Sequence, residues 1–415
     1  MTNILMLTLV YGPDTVSTAN MMTDIAHGLS DKGHNVTVLT SVPHYNPSKE
    51  VLANPVMRSS WRKPFTESIE HGVRVLRVFM PPKRHKIWAR AFDYIIFQAL
   101  TTILAVYKVA RPDVVFVTSP PITLGISGVL ISWLRGGRFV YDVRELWPDV
   151  PVRMGLFRNP LLVKFVYWLE DFVYKKTAGI SSIARSFNDT LVERGVPSKK
   201  LYFTPNFVDV DFIIPSESKN EFSSVHGLNN KFVVLYAGNV GLTQGLEILL
   251  EVAYGFTDND DIQFVVVGDG AARKSLENAL ANSTLNNFRM LPFQPIRIVN
   301  SMYAASDVCI VPLLRGFSYD TVPSKIYTAM AAGRPVLASA ETDSETAMLI
   351  NESSAGVCVE PESTVALTEA IAFLYENPKR VVHMGDNGRK WIEKYYSRSV
   401  VINAYDEMVR EIAVY

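Results

Sequence analysis

Two short stretches of this chain combine glycine, hydroxyl and cation at spacings suited to holding a phosphate. The first is RGFSYDTVPSKIYTAMAAGRPVLA, Arg315–Ala338. Thr321 is suited to cap a helix, and Pro323 to its first turn, where a missing N–H costs nothing. Ser324 and Lys325 then fall in that turn, where unpaired amides and the helix dipole attract an anion. Gly333 closes the helix in the left-handed conformation, Pro335 prevents continuation, and Val336, Leu337 and Ala338 form a short buried strand. The second stretch is LYAGNVGLTQGLE, Leu235–Glu247. A strand ends at Ala237, the chain turns through Gly238, Asn239, Val240 and Gly241, and Gly245 opens a helix. Glycines after a strand let backbone N–H groups approach a pyrophosphate. Tight turns use the same residues, so the loop gains weight from the second phosphate-type helix start at Val322–Lys325. A third glycine loop, Gly268–Gly270, suits a nucleoside and equally suits an ordinary strand-to-helix turn. The acidic strings at Asp209/Asp211 and Asp258/Asp260/Asp261 have no further ligands nearby in sequence, so no metal is expected.

These loops need a frame, and the chain's length gives two. At 415 residues it exceeds one ordinary core, so two domains are expected. Formal net charge is zero, but residues 1–205 carry 25 Lys and Arg against 15 Asp and Glu, and the remainder 16 against 26. A +10 half joined to a −10 half points to different partners for the two domains. Cys309 and Cys358 both sit in apolar runs and read as buried thiols of a reduced, cytosolic protein. No signal peptide is indicated, and the longest uncharged apolar run, Tyr94–Tyr107, is too short to span a bilayer. In the first half, Asn3–Val10, a helix carrying Met22, Ile25, Ala26 and Leu29, and Val36–Val42 form a βαβ unit. Further strands are expected at Val73–Phe79, Asp113–Ser119, Arg138–Val143, Ala178–Ser182 and Leu201–Thr204. PNFVDVDFIIP at Pro205–Pro215 reads as a linker, after which the pattern restarts. Strands follow at Phe232–Ala237, Ile262–Gly268, Phe288–Leu291, Asp307–Pro312, Pro335–Ser339 and Gly356–Glu360. The fold class is therefore α/β, with two Rossmann-like, doubly wound domains, 1–205 and 206–386, facing a central cleft. A helical tail, 387–415, is expected to pack back on the first domain.

Taken together, GNVGLTQG, GDG, LPFQP, ASDVCIVPL and VPSKIYTAMAAGRPVLA resemble family 4 glycosyltransferases of the GT-B fold. The first half adds YGPDTVSTANMMTDIAHGLSDKGHNVTVLTSVPHY, YDVRELWPD and TPNFVDVDFIIP, in order. The similarity covers nearly the whole chain and leans toward the bacterial branch that builds O-antigen, capsule and exopolysaccharide units, including fucosamine transferases. The resemblance implies a retaining, metal-independent transferase without cofactor. It would move a sugar from a nucleotide diphosphate donor, held by the second domain, to an acceptor held by the first. Donor contacts would come from Gly238, Asn239, Gly241, Gln244, Gly268, Phe293, Arg315, Thr321, Val322, Ser324, Lys325 and Thr328. The chain departs from the family where it matters electrostatically. Asn239 and Gln244 stand where an Arg and a Lys usually meet the donor phosphates, and Asp320 and Thr328 stand where two Glu are usual. Negative charge growing on the leaving pyrophosphate wants a cation, which leaves Lys325 and Arg315 as the candidates in sequence. The resemblance places Asp142 and Glu145 beside Asp320 as catalytic candidates, with Arg144, Ser17 and Thr18 on the acceptor. A carboxylate near the reacting sugar orients the acceptor or stabilises oxocarbenium-like charge. A salt-bridged loop competes as a reading of Arg144 and Asp149, and helix capping as a reading of Ser17 and Thr18.

Pro81–Ala110 holds Lys83, Arg84, Lys86 and Arg90 ahead of an apolar helix with Trp88, Phe92, Tyr94 and Phe97. Its basic flank suits an anionic membrane surface, and Ile95–Val106 a helix buried on the sheet. Acceptors in this branch are polyprenyl-diphosphate sugars, so a peripheral place on the inner face of the cytoplasmic membrane is expected, with no nucleic acid partner. Two other readings share the fold: a sugar-nucleotide epimerase, and a non-catalytic nucleotide-sugar-binding partner of another transferase.

Overall fold

The computed structural model describes residues 1–14, 16–44, 51, 53–60, 62–81, 87–153, 155, 159–319 and 322–414. The chain divides into two compact units, one of residues 1–205 with 399–415, the other of residues 206–398.

The first unit is built on an eight-stranded sheet: β1 (Asn3–Leu7), β2 (Asn35–Ser41), β3 (Phe65–Glu70), β4 (Val73–Val78), β5 (Val114–Thr118), β6 (Arg138–Val143), β7 (Gly179–Ser182) and β8 (Leu201–Phe203). Their order is β3-β4-β2-β1-β5-β6-β7-β8. Runs such as VVFVT are buried at every position, as strands covered on both faces must be. The helices are α1 (Ser17–Asp31), α2 (Ile87–Tyr107), α3 (Thr123–Arg135), α4 (Asp149–Arg153), α5 (Pro160–Lys176) and α6 (Arg185–Glu193). Strand β3 was not expected from sequence. It pairs antiparallel with β4 across a His71-Gly72 turn in which both residues have positive φ. Charged positions in FTESIE break the apolar run because this is an edge strand, exposed on alternate residues.

The second unit has a six-stranded parallel sheet, β9 (Phe232–Ala237), β10 (Ile262–Val267), β11 (Phe288–Leu291), β12 (Val308–Pro312), β13 (Val336–Ser339) and β14 (Gly356–Val359). Its order is β11-β10-β9-β12-β13-β14, so connections run outward in opposite directions from the β9/β12 pair. That pair is the switch point at which open α/β sheets bind ligands beyond their strand ends. Helices α7 (Glu221–Val225), α8 (Ile248–Tyr254), α9 (Arg273–Ala281), α10 (Ile296–Ala304), α11 (Lys325–Ala331), α12 (Glu345–Ser353), α13 (Thr364–Glu376) and α14 (Pro378–Tyr395) complete it.

The tail differs from expectation in where it leaves. Residue 387 falls inside α14, which stays with the second unit. Gly385 lets this helix come against the Gly333 carbonyl, where a Cβ would lie 2.1 Å away. Arg389 donates to the carbonyls of Val210, Ile213 and Ala331. Only α15 (Arg398–Val414) joins the first unit, burying Val401, Ile402, Tyr405, Met408, Val409 and Ile412. Ile402 fills the notch at Gly28 on α1, and Asp406 meets His34 at 2.6 Å.

Candidate donor site and a buried network in the first unit

The glycine loop after β9 and the loop after β10 lie backbone to backbone. Gly238 donates its N–H to the Val267 carbonyl at 2.9 Å, and Val240 to Asp269 at 2.8 Å. A Cβ at Gly268 would stand 1.8 Å from the Gly238 oxygen, and one at Gly270 2.3 Å from the Val240 oxygen. These glycines are thus required for two loops to touch, and both have φ near +150°. The pairing has a chemical consequence. The amides of Gly238 and Val240 are already bonded and so are not offered to an arriving anion, and the loop itself carries no cation.

Lys325 supplies one. The chain returns from β12 through 313–324, and α11 opens at Lys325 with Ser324 as its cap residue. The helix therefore starts later than the sequence suggested. Ile326 and Tyr327 donate to the carbonyls of Pro323 and Ser324 in a tight first turn, and Ser324 makes no side-chain cap. The Lys325 stem reaches the Gly238 loop, where a Cβ on that glycine would lie 3.4 Å from Nζ. Its ammonium sits over the Tyr236 ring, 3.7 Å from the centroid. Tyr236 is fully buried and donates its hydroxyl to the Asn239 carbonyl, which fixes the ring beneath the cation. Among the described residues no carboxylate pairs with Lys325. Burial lowers its pKa to about 7, although the residue as a whole keeps partial exposure. An ammonium on one aromatic face at the sheet's switch point, with no carboxylate beside it among the described residues, is chemically suited to meet an anion.

The other donor candidates separate into three groups. Asn239 and Gln244 converge over Gly241, where a Cβ would meet Gln244 Oε1 at 2.5 Å and Asn239 Nδ2 at 2.6 Å. Gln244 donates to Thr243, and its buried Oε1 lacks a hydrogen-bond donor. Val322 is buried, and its carbonyl accepts from Asn206 Nδ2. The Thr328 hydroxyl is taken by the buried Tyr303 phenol. Arg315 is exposed on the segment after β12. It donates to the Pro361 carbonyl and lies 3.9 Å from Glu362, so its guanidinium is held at β14's exit. Phe293 is exposed on the loop after β11. Asp320 and Thr321 lie outside the described residues, as do Lys83, Arg84 and Lys86, and the side chains of Trp88 and Arg90. Glu341 holds the segment leading toward position 320 by accepting from the Gly316 amide and the Ser318 hydroxyl. A cavity of about 250 Å³ opens beside Gln244, lined by Ile248, Leu314, Ser339 and Glu362. Lys325 and Gly238 do not line it, so we place the anion site by the cation and the switch point rather than by this cavity.

In the first unit Asp142 is not at a loop but inside β6, opposite Thr118 on one side and Ser181 on the other. It is fully buried and bonded on both oxygens. Ser181 donates at 2.7 Å and Tyr405 of α15 at 3.4 Å to Oδ1, while Arg144 Nη1 donates at 3.3 Å to Oδ2. Ser181 also bonds Thr204. A carboxylate so enclosed has both oxygens satisfied within its own unit. Burial opposes charge on Arg144, but the Asp142 carboxylate beside it holds its pKa above the ordinary value. Glu145 is half-buried just beyond the strand. Asp149 accepts from Tyr167 at 2.6 Å and pairs with Arg194, which also bridges to Glu170 at 2.9 Å. Ser17 is exposed and Thr18 half-buried, and the cap residue of α1 is Val16, so neither is an N-cap.

Sequence reasoning missed Tyr236 and Tyr405, whose roles depend on contacts far along the chain. It also missed Asp14, which accepts from the His44 amide at 3.2 Å while His44 Nδ1 meets the Ser41 hydroxyl at 2.8 Å. The PHY string at Pro43–Tyr45 was the available signal.

Comparison with known proteins adds the family. The profile described as "Glycosyl transferases group 1" matches residues 218–391, and that described as "Glycosyl transferase 4-like domain" matches residues 18–206. The chain is 24% identical over 416 residues to the putative colanic acid biosynthesis glycosyl transferase WcaI of Escherichia coli K12, covering 98% of this chain and 99% of that protein. It is 27% identical over 320 residues to the probable glycosyltransferase WbjE of Pseudomonas aeruginosa, covering 76% and 79%. Anabaena HepE, solved in complex with UDP and glucose, superposes with a TM-score of 0.72 at 14% identity, covering 99% of this chain and 100% of that one.

Proposed function

The chain belongs to the family 4 glycosyltransferases of the GT-B fold, and we propose that it moves a sugar, with retention of configuration, from a uridine diphosphate-linked donor to a polyprenyl-diphosphate-linked saccharide during assembly of a bacterial surface polysaccharide. The name carried by WcaI, a putative colanic acid biosynthesis glycosyl transferase, supports the polysaccharide setting. The UDP and glucose in HepE support the donor class, within which an N-acetylated deoxy sugar such as N-acetylfucosamine is our favoured donor.

The single observation that carries the reading is Lys325 on Tyr236 beside Gly238, a half-buried cation without an acidic partner among the described residues. As the sugar's C1–O bond to the diphosphate breaks, negative charge grows on the leaving oxygens. An ammonium already in place stabilises that charge without reorganisation. With Asn239 and Gln244 neutral, and two loop amides engaged, Lys325 bears this load in place of the family's usual Arg and Lys, and of a divalent ion. The acceptor hydroxyl then attacks C1 on the departing face. Acceptor binding falls to the first unit, near Arg144 and the start of α1, with the enzyme peripheral on the inner face of the cytoplasmic membrane.

Thermal-shift screening against a panel of nucleotide diphosphate sugars tests the donor assignment, because a ligand that binds only the folded state raises the melting temperature. A shift with uridine donors that persists in EDTA is expected. No shift with any uridine or guanosine donor contradicts the reading.

A further inference from the structure

Three helices of the first unit, α2, α3 and α5, leave large apolar side chains in water. On α5 the stripe Leu161, Phe165, Trp168 and Phe172 recurs at one face of the helix. Leu161 is 76% exposed, Phe165 55% and Trp168 59%, and the rings of Phe165, Trp168 and Phe172 stack in a row with centroids 5.8 and 5.9 Å apart. Helix α3 leaves Leu130 and Trp133 exposed as well, the latter to 79%. The two helices are neighbours. A Cβ on Gly125 of α3 would lie 2.6 Å from Val173 of α5, and Ile126 and Phe172 pack on the same small cluster of Ile122, Val166 and Leu169. From that shared root the two apolar stripes run out into solvent. Nothing in the core demands them, since α3 already buries Leu124 and Ile131, and α5 buries Val166, Leu169 and Val173. On a monomer's surface an exposed aromatic row like that of α5 marks a contact with something apolar.

The charges around the patch decide what that is. Lys164 lies within the α5 stripe without an acidic partner among the described residues, and Lys176 lies 6.0 Å from the centre of the Phe172 ring. Lys175 is paired with Asp171, and Glu170 is buried against Arg194. The face is thus aromatic and net positive on a half of the chain that carries +10. Tryptophan beside lysine is the composition that settles at the headgroup level of an anionic bilayer, and no described helix is long and apolar enough to cross one. We infer that the α3–α5 face, with Trp133, Phe165 and Trp168 as anchors, seats the first unit on an anionic lipid surface. This deepens the proposal that the acceptor is lipid-linked, and names a contact in addition to the basic flank at residues 83–90, whose side chains lie outside the described residues.

The test is co-sedimentation of the full chain with vesicles, without donor or acceptor, so that it fails or succeeds independently of the transfer reaction. Vesicles of phosphatidylcholine with about one third phosphatidylglycerol are compared with phosphatidylcholine alone. Wild type is expected to partition about tenfold more strongly onto the anionic vesicles. The triple variant Trp133→Ser, Phe165→Ser, Trp168→Ser is expected to lose about tenfold or more of that partitioning, with its melting temperature little changed because the side chains are exposed. Should the variant fold poorly, quenching of wild-type tryptophan fluorescence by brominated lipid reads the same contact directly. Partitioning of a folded triple variant equal to wild type overturns the inference, as does an absence of quenching. So does a concentration-dependent dimer that the variant abolishes while lipid binding is kept, since the face is then covered by a second copy.

Discussion

Replacing Lys325 by Met removes the charge and keeps the length of the stem, which isolates electrostatics from packing. Two opposite effects are expected. In the donor complex the ammonium makes a charge-assisted contact with the diphosphate, and its loss costs about 1.5–3 kcal/mol, or roughly 10- to 150-fold in kcat/KM for the donor. In the free protein the same charge is a burden. Burial brings its pKa down to about 7, against an unfolded value near 10.4. The unfolded chain therefore holds the proton more tightly. The deficit in stability is fully present below pH 7 and shrinks as pH rises from about 7 toward 10.4. At one pKa unit per 1.36 kcal/mol the deficit is on the order of a few kcal/mol, offset in part by the tyrosine ring. Lys325→Met should thus melt higher than wild type at neutral pH while losing donor turnover, and the difference in melting temperature should narrow toward pH 10. Wild-type donor KM should rise with pH above about 7, because the free enzyme must take up a proton to bind the anion. The assays are scanning calorimetry across pH and release of nucleoside diphosphate under first-order conditions. A variant with wild-type melting temperature and kcat/KM within twofold refutes the placement of the charge.

Other perturbations follow from the same geometry. Gln244→Ala removes a neutral amide already bonded to Thr243, so donor kcat/KM should fall by less than about threefold, far less than for Lys325→Met. Asp142→Asn removes the carboxylate beside the buried Arg144 and should cost about 3 kcal/mol in urea denaturation. Unchanged stability with lost activity would instead put that carboxylate on the substrate. Tyr405→Phe removes one donor to Asp142 from α15 and should cost about 1 kcal/mol by the same measurement. Gly268→Ala forces a Cβ onto the Gly238 oxygen, so the two loops must separate. It should abolish the donor-induced thermal shift and lower stability by about 2 kcal/mol or more.

Much of this architecture was legible because parallel strands announce themselves as unbroken apolar runs, and VVFVT or FVVLYA needs no tertiary knowledge to read. Edge strand β3 escaped since half of it faces water, although the glycine turn at Gly72 marked its hairpin. The glycine loops were legible as phosphate-type turns, but their glycines serve loop-to-loop contact, which no single loop reveals. Asp142 was legible as a candidate, but its buried setting was not. It lies within the strand predicted at Arg138–Val143, and a carboxylate in a central strand must be paired internally. Its partners Ser181 and Tyr405 come from residues 39 and 263 positions away, beyond any local pattern. Lys325 was legible as a phosphate candidate, while its seat on Tyr236 depended on the adjacency of β9 and β12 and the return of the chain to α11.

The central claim is that this chain transfers sugar from a nucleotide diphosphate donor. Incubation with the donor that gives the largest thermal shift, in the presence of bacterial membrane lipid extract, followed by mass spectrometry of the lipid phase, tests it most directly. The account predicts a lipid-linked saccharide one sugar heavier, formed in step with released nucleoside diphosphate and lost in Lys325→Met. Donor that is bound and returned unchanged, or converted to an epimer without a lipid product, would contradict it.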